Sequence, residues 1–253
     1  MISDGMAEVL RSLRLGEDGD PARACARALG AAGVALSLLV GAERTAEPLW
    51  HHPDLSARFE ELQFTLGEGP GPEAVRTGSP VLEPDLARVR AERWPALLPA
   101  ARDLGVHGVC CFPLGVGAIR VGVLTLLCDR ERRLSGQQYT DAAALTAVLT
   151  GGLLNRDRRG EGGDGGGDGP GLGAVLEPPS VLSRAVVHQA TGMISAQLDV
   201  SIQEALLRLR AHAYGSERPL GDIAADVVAR RLRFNDDLDD DVSGPNSPDG
   251  GKG

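Results

Sequence analysis

The chain has 253 residues, with 26 basic side chains, 35 acidic ones and a formal net charge of −9. Its 42% apolar and 24% charged residues are an ordinary globular mixture, long enough for one large domain or two modest ones. The longest apolar stretches, such as Val34–Val40 and Val121–Cys128, fall far short of the roughly 20 residues that span a bilayer; Met1-Ile-Ser-Asp-Gly5 lacks the basic and apolar regions of a secretory signal. Membrane and secreted proteins are therefore disfavoured, and a cytoplasmic location is expected.

Residues 1–19 read as an N-terminal arm. Pro21–Ala32 then reads as a helix, Val34–Val40 as a strand and Leu55–Phe64 as an amphipathic helix. Gly67-Glu-Gly-Pro-Gly71 is a tight loop, with a short helix over Gly71–Arg76 and extended chain at Pro80–Leu82. Glu92–Leu104 reads as helical, with Pro95 and Pro99 at turns. Val106–Pro113 and Ile119–Leu127 read as strands. Ser135, three residues before Gln138, opens a long helix to about Arg158 in the manner of a capping box. This order implies an α+β fold over residues 20–158, a sheet covered by helices.

A Gly/Asp tract, Gly160–Gly171, cannot bury enough apolar area to offset its backbone entropy, so residues 159–179 read as a linker. Residues 180–235 then read as an all-α three-helix bundle. Val186, Val187, Ala190, Met193, Ile194 and Leu198 share one helix face. Ser201-Ile-Gln-Glu204 is a second capping box, followed by Ile202, Leu206, Leu209 and Ala213. Pro219 suits the first residue of a third helix carrying Leu220, Ile223, Ala224, Val227 and Val228. Residues 236–253, with six acids, read as a disordered tail. The bundle itself holds seven arginines against five acids. The global charge hides a mildly basic domain.

No catalytic constellation is visible, and the chain is expected not to be an enzyme. The Gly67–Gly71 loop lacks the Lys-Ser/Thr of a phosphate loop and reads as a turn needing positive φ. Cys25, Cys110, Cys111 and Cys128 lack CxxC spacing, so neither a zinc site nor a disulfide framework is expected, and no cofactor is implied. The basic bundle is more informative. Arg184, His188, Thr191 and Ser195 recur at i, i+4, i+7 and i+11 on one helix flank. Arg208 and His212 share a stripe on the second helix, and Arg230, Arg231 and Arg233 crowd the end of the third. Such arginines either complement helix dipoles and keep the bundle soluble, or form a footprint for phosphate.

Arg184-Ala-Val-Val-His-Gln-Ala-Thr-Gly-Met-Ile194, Ser201–Ala205, Leu209–Ala213 and Leu220–Ala224 together resemble an ANTAR domain. The resemblance implies an RNA-binding output domain of bacterial regulators that prevent transcription termination, with paired short hairpins of nascent RNA as partner. Many members carry lysine where Thr191 stands, which removes one phosphate contact here. On this frame Arg184, His188 and Arg210 are expected at the centre of the RNA surface, with Thr191, Arg208, Arg230 and Arg231 around it. Gly67–Arg76, Val81–Asp85, Arg93-Trp-Pro95 and Val121–Leu126 resemble the GAF sensory fold. That implies a small-molecule ligand of unspecified identity and a homodimer formed through terminal helices. Two alternatives stand: a DNA-binding transcription factor, and a GAF-type signalling module that recruits a protein partner.

Overall fold

The computed structural model describes residues 1–17, 19–40, 45–129, 134–160, 172, 176 and 184–235. The chain divides into two compact units, Met1–Ser183 and Arg184–Gly253. The first is α+β and the second, over its described residues, is all helical. No helix among the described residues is long and apolar enough to cross a membrane.

The first unit is built on a five-stranded antiparallel sheet ordered β2-β1-β5-β4-β3. Its strands are β1 (Gly33–Val40), β2 (Thr45–His52), β3 (Val81–Glu83), β4 (Gly108–Val116) and β5 (Ile119–Cys128). Alternation along β4 and β5 sends Cys110, Phe112, Leu114, Leu124 and Leu126 to one face and Val109, Cys111, Val123 and Leu127 to the other. Helices cover both faces. On the first lie α1 (Asp4–Leu15), α2 (Pro21–Leu29) and α6 (Gly136–Gly160). On the second lie α3 (Asp54–Leu66), α4 (Pro70–Thr77) and α5 (Leu97–Leu104). The largely apolar run of β1, interrupted by Ser37, follows because that strand is buried on both faces.

The capping box expected at Ser135 is present in both directions. The Gln138 amide N–H donates to Ser135 Oγ at 3.2 Å, and the Ser135 N–H donates to Gln138 Oε1 at 2.9 Å. Gln138 Nε2 also donates to the Leu29 carbonyl at 2.7 Å, so the start of α6 satisfies an orphan acceptor at the end of α2.

Two of the differences from the sequence expectation concern segments flanking the sheet domain. The N-terminal arm contains a helix, α1, whose Met6, Val9, Leu10 and Leu13 are buried in the first core. The stretch expected as linker is not wholly polar either. Leu176 is fully buried in that core, and Leu172 packs beside it against Gly152 of α6, where a Cβ would lie 2.4 Å from Leu172 Cδ2. The rest of the Gly/Asp tract beyond α6, and the acidic tail, lie outside the described residues.

Asp141 of α6 anchors α1. Its Oδ1 accepts the Ser3 N–H at 2.9 Å and Gln137 Nε2 at 3.0 Å. Burial alone would raise this carboxyl, but the Ser3 and Gln137 hydrogen bonds and the N-terminal charge bring it below the ordinary Asp value. A carboxyl depressed in the folded state stabilises above its unfolded pKa, and that contribution disappears as pH falls through the folded value. Asp141→Asn should therefore lower the melting temperature at pH 7 and flatten its decline below about pH 4. Parallel acid slopes for parent and variant in thermal melts would contradict this.

Candidate nucleic-acid interface

The second unit packs α7 (Ala185–Leu198), α8 (Ile202–Gly215) and α9 (Leu220–Val228) around one small core. Val187, Ala190, Ile194 and Leu198 meet Ala205, Leu209 and Ala213 from α8 and Leu220, Ile223, Ala224 and Val227 from α9. The second capping box holds on one side, with Ser201 Oγ accepting the Glu204 N–H at 3.1 Å. Asp199, in the left-handed region at φ 53°, ends α7, and Ser195 Oγ donates to the Val200 carbonyl at 2.6 Å across the turn. Pro219 stands at the N-cap, one position ahead of where the sequence places it.

The cations sort by exposure. Arg184 is 4% exposed at the N-cap of α7, and Thr191 is 3% exposed with its hydroxyl donating to the Val187 carbonyl at 2.7 Å. His188 is half-buried. The flank expected to meet phosphate thus turns largely inward, because the bundle closes over a wider arc of α7 than the apolar side chains alone define. On α8, Arg208 and Arg210 are half-buried, and Arg208 Nε donates to Glu204 Oε1 at 3.0 Å. Arg218, Arg230, Arg231 and Arg233 are exposed, clustered in sequence around α9.

Asp226 organises this last group. It accepts Arg218 Nη2 at 2.8 Å and Arg231 Nε at 2.8 Å, and the two guanidinium hydrogen bonds, Arg218's the larger, hold its carboxyl below the ordinary Asp value. Among the described residues, Arg230 and Arg233 take part in no ion pair. Arg230 sits in the left-handed region at φ 59°, where the chain turns out of α9. The following segment folds back: Phe234 donates its N–H to Gln197 Oε1 at 3.1 Å and meets the His212 ring edge-on, centroids 5.4 Å apart.

Arg218 and Tyr214 stand outside the set of site residues expected from the sequence, whereas Arg233 belongs to the cluster noted there at the end of the third helix. Tyr214 is 70% exposed and Leu207, one i+7 step earlier, is 58% exposed. Both lie off the Ala205–Leu209–Ala213 stripe that faces the core, so helical periodicity already separates them from it.

The motifs in the first unit serve the fold. Gly67 and Gly69 have φ of 70° and 132°. The Gly71 N–H, which a phosphate loop would offer to an anion, donates to buried Gln63 Oε1 at 2.7 Å. Glu68 Oε1 accepts the Ala96 and Leu97 N–H groups at 2.8 Å each, capping α5. Glu73 receives Arg93 through two bonds, Nε at 3.0 Å and Nη2 at 2.7 Å, and Trp94 Nε1 at 3.2 Å. Arg93 also pairs with Glu83 and stacks 4.4 Å from the Trp94 ring centroid. The Arg93 hydrogen bond draws the Glu73 carboxyl down first, against a smaller burial effect. Glu73→Ala should cost about 1–2 kcal/mol at pH 7, discounted from the usual charged hydrogen-bond value because the clasp is partly solvated. Its contribution vanishes as pH falls below the ordinary Glu range, so denaturant midpoints of parent and variant should converge in acid.

No curated protein matches the chain. Among solved structures, the GAF domain of a phosphoenolpyruvate-protein phosphotransferase from Coxiella burnetii is similar at 15% identity and TM-score 0.47, covering 63% of this chain and 99% of that one. The GAF domain/HD domain protein from Geobacter sulfurreducens is similar at 15% identity and TM-score 0.43, covering 62% and 97%. The family model for the ANTAR domain matches residues 180–228, which span all three helices of the second unit. Residues 180–228 of this chain are an ANTAR domain.

Proposed function

We propose that the chain is a cytoplasmic bacterial regulator whose ANTAR domain binds paired hairpins in nascent RNA and antagonises transcription termination. The first unit acts as a GAF-type sensor for a small molecule and as the homodimerisation element, through α6. The protein is not an enzyme. The observation that carries this reading is the ANTAR domain itself, a bundle with four exposed arginines around α9. Guanidinium suits phosphate, and Tyr214 offers an exposed ring for an unstacked loop base.

On this reading the RNA surface centres on Arg218, Arg230, Arg231 and Arg233, with Arg208, Arg210 and His188 at its margin, a choice supported by the burial of Arg184 and Thr191. The test compares binding of tandem-hairpin RNA and duplex DNA to the full chain across a salt series. Hairpin preference with a steep salt slope supports the reading. Equal binding of duplex DNA favours a transcription factor, and no nucleic-acid binding favours recruitment of a protein partner. Arg230→Ala and Arg233→Ala should each flatten the slope by about one phosphate contact. Arg184→Ala should leave the slope of the folded protein unchanged.

A further inference from the structure

Cys110 lies within β4 and Cys128 closes β5, two positions beyond Leu126, the residue paired with Cys110. Alternation puts both sulfurs on the face under α1, α2 and α6, while Cys111 lies on the other face beside Thr125. Diagonal neighbours in an antiparallel sheet stand about 7–8 Å apart along the backbone. These two side chains lean together to an Sγ–Sγ distance of 3.6 Å. Their surroundings differ. Cys110 is 1% exposed, whereas Cys128 is half-buried at the end of β5. Cys128 is therefore the residue of the pair nearer to solvent.

We propose that Cys128 and Cys110 form a dithiol that hydroperoxides oxidise to a reversible disulfide, with Cys128 attacked first and Cys110 resolving. The Cys128 thiolate attacks one peroxide oxygen and the O–O bond breaks. The departing alkoxide takes a proton and leaves as alcohol, or as water when the oxidant is hydrogen peroxide. Cys128 is left as a sulfenic acid. The Cys110 sulfur then attacks the Cys128 sulfur, the S–S bond forms, and hydroxide departs as water with the Cys110 proton. Two thiols and one hydroperoxide thus give one disulfide, one alcohol and one water, a two-electron oxidation.

The other thiols act as internal controls. The hydrogen bond from the Cys110 thiol draws Cys128 below the ordinary thiol value despite its burial and the Asp129 charge. Burial pushes Cys25 up to about 12 and Cys111 well above its usual value. The two sulfurs stand 3.6 Å apart and must approach to about 2.05 Å for the bond to form.

The test treats the reduced full-length protein with stoichiometric hydrogen peroxide, alkylates it under native and then denaturing conditions, and maps peptides by mass spectrometry. The expected result is a loss of 2 Da, a Cys110–Cys128 linked peptide pair, and Cys25 and Cys111 alkylated only after denaturation. Cys128→Ser should abolish the reaction. Cys110→Ser and Cys110→Ala should each stop it at a Cys128 sulfenic acid trapped by dimedone. Oxidation of the Cys128→Ser protein at the parental rate, or recovery of Cys110 and Cys128 as free thiols after oxidant, would overturn the proposal.

Discussion

Leu209→Ala is expected to unfold the ANTAR domain while leaving the first unit folded. Leu209 is completely buried on α8 at the centre of a core assembled from about four residues per helix. Many of its neighbours are alanines, Ala190, Ala205, Ala213 and Ala224, so the helices already approach closely and have little scope to collapse into a cavity. Truncating a buried leucine costs about 2–5 kcal/mol. A bundle of this size has roughly 3–7 kcal/mol in total, at about 0.05–0.15 kcal/mol per residue. The loss is therefore comparable with the whole stability. Amide exchange in the full chain should show the α7–α9 amides unprotected and the sheet amides unchanged. Leu207→Ala is the matched control, since Leu207 is two positions away on the same helix and 58% exposed. It should stay within about 0.5 kcal/mol of the parent. Equal protection in the two variants would place the core elsewhere.

The parts of the fold that were legible in the sequence are those where local chemistry and tertiary packing agree. β1 is an aliphatic run broken only by Gly33 and Ser37 because both its faces are buried, and the boxes at Ser135 and Ser201 mark real helix starts. β2 was hidden for a physical reason. It is an edge strand, Pro48 sits at the irregularity opposite Leu36/Ser37, and its one buried residue is Glu47. Neither alternation nor β propensity survives that composition. The helix expected from Glu92 begins only at Leu97, because Pro95 and the Glu68 cap on the Ala96 and Leu97 amides fix a later start. α1 carried an adequate signal in Met6, Val9, Leu10 and Leu13, whose i, i+3, i+4, i+7 spacing marks a buried stripe.

The candidate site was less legible than the fold. Helical spacing correctly places Arg184, His188 and Thr191 on one flank, but spacing cannot tell how wide an arc a three-helix bundle closes over. Thr191 looks available for phosphate in sequence. In the structure its hydroxyl is spent on the Val187 carbonyl, the back-bond open to any buried helical threonine. The Asp226 pairing with Arg218 and Arg231 spans eight and five residues, one of them across the start of α9, which periodicity within one helix does not register.

Gln63→Leu should be among the most destabilising single changes in the first unit, at about 2–4 kcal/mol from two buried groups losing a partner. Gln63 is 3% exposed on α3 and connects three elements. Its Nε2 donates to Glu60 Oε1 at 2.9 Å, while Glu60 Oε2 accepts the Ser37 hydroxyl of β1 at 2.7 Å. Its Oε1 accepts the Gly71 N–H at the start of α4. The glycines are what allow this approach, since a Cβ on Gly69 or Gly71 would lie 2.7 Å or 3.0 Å from Gln63 Oε1. Leucine fills the space but removes both bonds, so the Glu60 oxygen loses a donor and the Gly71 amide its acceptor. Gln63→Glu separates the polar effect from packing because the shape is nearly kept. It brings a second carboxyl against Glu60, and two carboxyls sharing a site hold a proton to higher pH than either does in the unfolded chain. The folded state then binds more protons than the unfolded one, so stability must fall as pH rises above the ordinary Glu range. Denaturant midpoints measured from pH 4.5 to 8 should decline for Gln63→Glu, with no comparable decline for the parent. A Gln63→Glu midpoint that tracks the parent across that range would mean the two carboxyls do not meet, and the Gln63–Glu60 contact would have to be abandoned.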